Sequence, residues 1–128
     1  MHISGLYVAL AALLVVVLSA RVVLRRIAAR VALGDGDDKE LRKRIRVQAN
    51  AIEYLPLALL LLVALEWNQT RPALLHAFGI VLIVARIVHA IGLSISGGAS
   101  PARLSGTGLT WAVMVAMAAL LIWQQVMR

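Results

Sequence analysis

The chain of 128 residues contains no cysteine. Structural disulfides are therefore excluded, and so is any mechanism that uses a thiol of the protein itself, such as that of the four-helix thiol oxidoreductases of membranes. If thiol chemistry takes place here, the thiol arrives on a substrate. Charge is scarce as well. Only 15% of residues are charged, against 62% hydrophobic, and the mean hydropathy is +0.89. A soluble globular chain is about 45–50% apolar, so this composition points to a membrane. No basic segment precedes the first apolar run, only Met1 and His2. That run therefore does not read as a cleaved signal peptide and is expected to be retained. No internal repeat or low-complexity segment is visible.

What is present is four apolar runs, at 3–20, 45–65, 73–95 and 109–126. Each is near the ~20 residues that a helix needs to cross a bilayer. The expected fold is one domain, 1–128, an all-α integral membrane four-helix bundle of up-down-up-down topology. Its helices are expected at roughly 3–30, 40–65, 72–96 and 105–127. The net charge is +7, yet this is no nucleic-acid signal. Nine of the thirteen basic residues lie between Arg21 and Arg46, at the ends of two spans and in their connection. The positive-inside rule puts that connection in the cytoplasm, together with the third connection around Arg103, and both termini on the other side. Gly34-Asp35-Gly36-Asp37-Asp38 breaks the first helix; it is too short for a calcium-binding loop and reads as a solvated turn.

Arg46, Asn50 and Glu53 interrupt the second apolar run at spacing i, i+4, i+7, which places them on one helix face. Such residues are expensive in lipid, so the face should meet protein or a water-filled cavity. Tyr54 follows at once, and Pro56 should kink the helix beside the polar face. Each residue taken alone has a plain structural explanation. Together, a cation, an amide and a carboxylate suit a zwitterionic ligand such as an amino acid or short peptide. Arg86 and His89 share a face of the third helix. At 1.5 Å per residue, Glu53 and Arg86 both lie about 15 Å from the same end of their helices. An ion pair between them is expected, either as glue between helices or as part of a site. A metal role for His89 would need further ligands, so no metal is expected. His76 and His2 show no partner, and Ser94, Ser96, Ser100 and Ser105 form no Ser–His–Asp arrangement. Arg103 stands alone in the third loop. It is either a topology charge or a cation that stabilises an anion such as a thiolate in a cytoplasm-facing cleft.

The segment Arg46-Val47-Gln48-Ala49-Asn50-Ala51-Ile52-Glu53-Tyr54-Leu55-Pro56 resembles the R-x-Q-x-N-x-x-E-Y-x-P segment of the MAPEG family, the membrane-associated proteins of eicosanoid and glutathione metabolism. Arg86-Ile87-Val88-His89 resembles that family's R-x-x-H of helix 3, and Ser19-Ala20-Arg21 is similar to its helix 1 end. The match is nearest the small bacterial branch. The resemblance implies a homotrimer in an inner membrane, with glutathione as cosubstrate bound between subunits and open to the cytoplasmic side. It implies that Arg46, Gln48, Asn50, Glu53 and Tyr54 hold glutathione, and that Arg103, assisted by Arg21, is the catalytic cation. The chain departs from the family at Leu93, where family enzymes carry a tyrosine.

The expected activity is transfer of glutathione to, or peroxide reduction of, a lipophilic molecule or lipid arriving from the bilayer. Two other classes stay open. One is a non-catalytic lipid-binding or scaffold protein of the same fold. The other is a small proton-coupled multidrug exporter, which would rely on an intramembrane Glu.

Overall fold

The computed structural model describes residues 3–95 and 100–127. His2 and Ser96 lie outside the described residues. Four helices are present: α1 (Ile3–Ala29), α2 (Lys39–Trp67), α3 (Pro72–Ile95) and α4 (Pro101–Val126). All four are long and apolar enough to span a bilayer. The molecule is an all-α integral membrane four-helix bundle of up-down-up-down topology.

Each boundary has a local cause. At the N-terminus of α1, the Glu66 carboxylate of α2 accepts from the backbone N–H of Ile3, from that of Ser4 at 3.1 Å, and from the Ser4 hydroxyl. One side chain thus satisfies donors that a helix start leaves open. The chain leaves α1 through Arg30 in the left-handed region, φ 55°. The turn that follows needs Gly36: its φ is +56°, and a Cβ there would lie 2.6 Å from Val31. Asp38 then caps α2, its Oδ1 accepting from the Leu41 N–H at 2.6 Å. α2 continues through Pro56 without a break. Pro72 opens α3, where a missing N–H costs nothing.

α4 begins at Pro101, four residues ahead of the expected start near 105. Ser100 is its cap, accepting from the Arg103 N–H at 3.2 Å, and Pro101 sits in the first turn. Arg103 is therefore helical and not in a loop. Gly106 and Gly108 are weak helix formers, but Gly106 is held by packing. A Cβ there would stand 2.7 Å from the His89 backbone N and 2.8 Å from the Ala85 carbonyl.

α1 packs on α2 and α3 on α4; α2 and α3 each touch all three other helices, while α1 and α4 do not meet among the described residues. The central stripe is Ala51, Leu55, Ala58, Leu62 and Leu65 of α2, all buried. It meets Tyr7, Ala11 and Leu18 of α1, Leu75 and Leu82 of α3, and Met117 of α4 within one core. Many large apolar side chains point outward, such as Leu13, Val16, Leu60 and Val115. That is the pattern of a lipid-facing surface. Lipid is as apolar as leucine, so helix association here rests on close packing and buried hydrogen bonds. Gly92 and Gly106 supply the close approach of α3 to α4.

Candidate functional site

Arg86 is among the largest fully buried side chains, 1% exposed. Its Nη2 donates to Asn50 Oδ1 of α2 at 2.6 Å and to His89 Nδ1 of its own helix at 3.1 Å. Its Nη1 donates to Thr110 Oγ1 of α4 at 3.4 Å. The Tyr54 ring lies beneath the guanidinium, 5.6 Å from its centroid. Three helices thus meet on one cation. The expected Glu53–Arg86 ion pair is not made within the chain. Asn50 occupies that role, because Glu53 is three residues farther on and turned to the exposed flank of α2. Among the described residues Glu53 forms no hydrogen bond or ion pair.

Next to this knot a cleft of about 510 Å³ opens at the basic end of the bundle. Its walls are Lys39, Arg42, Lys43, Arg46 and Asn50 of α2, Leu93 of α3 and Arg103 of α4. Of the residues singled out in the sequence, it brings together Arg46, Asn50 and Arg103. Leu93, at the family's tyrosine position, gives the wall an apolar spot where a phenol would stand. Arg21, Gln48, Glu53 and Tyr54 are not among its walls. Arg21 stands behind it, its Nη1 donating to Ser94 Oγ at 3.3 Å, while Lys43 Nζ donates to the Ser94 carbonyl at 3.3 Å. Gln48 ties α2 to α1, donating to Ser19 Oγ at 2.8 Å.

Lys39, Arg42 and Lys43 were missed by the sequence reading. Lys39, Lys43, Arg46 and Asn50 follow one another at i, i+4, i+7 and i+11, so the polar stripe begins seven residues earlier than Arg46. That spacing was readable. Thr110 carried no signal beyond a hydroxyl in an apolar helix.

The turn before α2 clasps the cleft's outer edge. Arg42 pairs with Asp35, and at 3.4 Å with Asp37. Arg25 grips Asp38 with both a 3.2 Å and a 2.6 Å bond. The Arg42 guanidinium, helped by the Asp37 N–H, holds the Asp35 carboxyl below the usual carboxylate range. Arg25, helped by the Leu41 N–H, does the same for Asp38. Lys43 meets Glu40 at 3.0 Å.

The opposite end is built differently. His76, which showed no partner in the sequence, meets the Tyr7 hydroxyl through Nδ1 at 2.8 Å. A second cleft of about 930 Å³ there is lined by Ser4, Glu66, Trp67, Gln69, Thr70 and apolar neighbours. Ser94 and Ser105 spend their hydroxyls on carbonyls of their own helices. No group of three His, Asp or Glu residues with metal-holding geometry occurs among the described residues.

Comparison with known proteins agrees with this architecture. The family model described as the MAPEG family matches residues 4–123. The chain is 37% identical over 121 residues to a protein named inner membrane protein YecN from Escherichia coli strain K12; the match covers 94% of this chain and 91% of the relative. The protein of the same name from Escherichia coli O6:H1 matches to the same extent. A family match over nearly the whole chain, and a relative at this identity and coverage, establish that the chain belongs to the MAPEG family.

Proposed function

We propose that this protein binds glutathione in the cleft at its basic end and transfers it to a lipophilic electrophile arriving from the bilayer. One observation carries the reading. Arg46 and Asn50 of α2 and Arg103 of α4 line a single cleft, with Leu93 as an apolar wall. Arg46 offers a planar fork to a carboxylate. Arg103 is the cation for the sulfur: a positive charge beside a thiol favours the thiolate, which is the nucleophile. The thiol releases its proton to solvent. The thiolate sulfur then bonds to an electrophilic carbon, and the leaving group departs with the electron pair. With a hydroperoxide, two glutathione molecules are oxidised to the disulfide while the peroxide becomes an alcohol and water. Arg21 assists from outside the cleft wall, donating to Ser94 Oγ.

The same reading places the protein in an inner membrane, as the name of its relative has it, with the basic end cytoplasmic by the positive-inside rule. It also takes the assembly to be a homotrimer. Glu53 favours an assembly, since it is exposed about 21 Å along α2 from Lys39. A charge at that depth facing lipid costs at least about 2.5–3.5 kcal/mol; a neighbouring copy removes that exposure.

The test is glutathione binding and glutathione-dependent turnover of an apolar electrophile by the purified protein in detergent. Binding with turnover supports the proposal. Binding without turnover assigns the protein to the non-catalytic class of this fold. Absence of binding overturns it.

A further inference from the structure

Arg86 decides which way its neighbours turn. A guanidinium has five N–H donors and no acceptor, so each group facing it must accept. Thr110 does so with its hydroxyl oxygen, having given its own proton to the Gly106 carbonyl at 2.7 Å. His89 does so with Nδ1, which leaves its ring proton on Nε2. Asn50 does so with Oδ1, at 2.6 Å. The orientation of an amide is ordinarily ambiguous, but here the donor-only partner removes the ambiguity. Oδ1 of Asn50 is therefore turned to Arg86, and the NH₂ group is the end of the amide left for the cleft.

Asn50 is also a wall of the basic cleft, and among the described residues every other polar wall side chain is Lys or Arg, with no carboxylate. Arg42 and Lys43 have acidic partners at its edge, whereas Lys39 and Arg46 form no ion pair or hydrogen bond among the described residues. Lys39 and Arg46 are seven residues apart, about 10 Å along α2. That separation is close to the reach of three extended residues, roughly 10–11 Å.

We infer that the cleft is a donor-only anion site, given that polarity by Arg86 acting through Asn50. Its ligand carries two anionic groups about a tripeptide's length apart, and needs no ammonium group. The inference deepens the glutathione reading and rests on it for its probes. In glutathione the two end carboxylates meet Lys39 and Arg46, the Asn50 NH₂ donates to an acceptor between or beside them, and the ammonium finds no acceptor side chain among the described residues of the wall. Arg86 is a positioning residue: it touches Asn50 and not the ligand.

Calorimetric titration of the full-length protein in detergent tests this with three probes. They are glutathione, glutaryl-cysteinyl-glycine (glutathione with its ammonium replaced by hydrogen) and glutathione dimethyl ester. The deaminated probe is expected to bind more tightly than glutathione, because it carries no ammonium into a wall of donors. The diester is expected to bind about tenfold or more weakly, since it loses hydrogen bonds to charged groups. Asn50→Asp turns a carboxylate towards Arg86, so the fold should hold while the cleft floor gains an acceptor and the deaminated probe loses about tenfold or more in affinity. Arg86→Met frees the Asn50 amide to turn, so the preference for the deaminated probe should collapse, a change that a merely structural arginine would not produce. Exposed Lys39→Gln and Arg46→Gln give the same test of the two anion stations should the buried variants fail to fold: each should weaken the deaminated probe while leaving the diester unchanged.

If glutathione fails to bind but the deaminated probe binds, the glutathione reading falls and the donor-only site stands. If glutathione binds and the deaminated probe does not, the donor-only site falls and the glutathione reading stands. Equal binding of the diester overturns the inference, and binding of no probe overturns both.

Discussion

Among single residues, Arg103 and Arg46 should fail in different ways. Arg103→Ala removes the cation assigned to the sulfur, which raises the thiol pKa of bound glutathione. The expected result is near-normal affinity with loss of the thiolate absorbance at neutral pH and of turnover. Arg46→Ala should lose affinity first. An ultraviolet thiolate titration beside a binding isotherm separates the two, and an intact thiolate signal in Arg103→Ala would leave Arg103 a topology charge. Arg86 belongs to the fold as much as to the site. Arg86→Met leaves His89 Nδ1, on a side chain only 1% exposed, without its donor. An unpaired buried acceptor costs about 1–3 kcal/mol, a loss that thermal unfolding in detergent would report. At this scale the sequence was only half legible. Arg46 and Asn50 announce themselves, because polar residues in an apolar helix must have a reason. The partner of Arg86 did not. Equal depth made Glu53 the obvious choice, but depth does not specify rotation, and a turn of three residues sends Glu53 outward and leaves Asn50 facing the guanidinium.

Among elements, two helix starts and one glycine contact position the cleft. Ser100 sets the first turn of α4 and with it Arg103. Ser100→Ala is expected to cost about 1 kcal/mol and to loosen Arg103, so turnover should fall more than glutathione affinity. Gly106 lets α4 lie against the backbone of α3. Gly106→Leu should cost roughly 1–3 kcal/mol or more through overpacking, and a lowered Tm with reduced turnover would report it. The clasp before α2 depends on acidity. Arg42 and Arg25 keep the Asp35 and Asp38 carboxyls below their ordinary range. Their contribution is complete above the unfolded aspartate value of about 3.9, and it is lost as pH falls through the lowered folded values. Hydrogen exchange in the turn from Val31 to Asp38 should therefore be slow at pH 7 and speed up, after correction for intrinsic rates, below about pH 4. Unchanged protection in acid would show that these ion pairs do not hold the turn. The four spans were readable from length and hydropathy alone. The start of α4 was not, because Ser100-Pro101 is a short cap signal followed by two glycines, and the contact that keeps those glycines helical lies on another helix.

For the molecule as a whole, the arrangement of charge is the main statement. Five cations line a cleft at one end, one cation is buried at the centre, and one carboxylate faces outward at mid-depth. On the proposed trimeric reading, Glu53 is covered by another copy. Glu53→Leu removes the cost of exposing it, so the variant should persist as a monomer in harsher detergent than the wild type tolerates as one. Size-exclusion chromatography with light scattering would check this. Reporter fusions within the turn at Asp37 and at the C-terminus would check orientation: activity is expected on the cytoplasmic side for the first and on the far side for the second. The family was legible from the helix 2 segment because its polar residues are few and regularly spaced. An assembly leaves no comparable mark in one chain except the outward carboxylate. The most direct test of the account is native mass spectrometry of the intact protein in detergent, with and without glutathione. The account predicts a trimer that gains up to three glutathione molecules, with the added mass lost in Arg46→Ala. A monomer, or a trimer that takes up no glutathione, would contradict it.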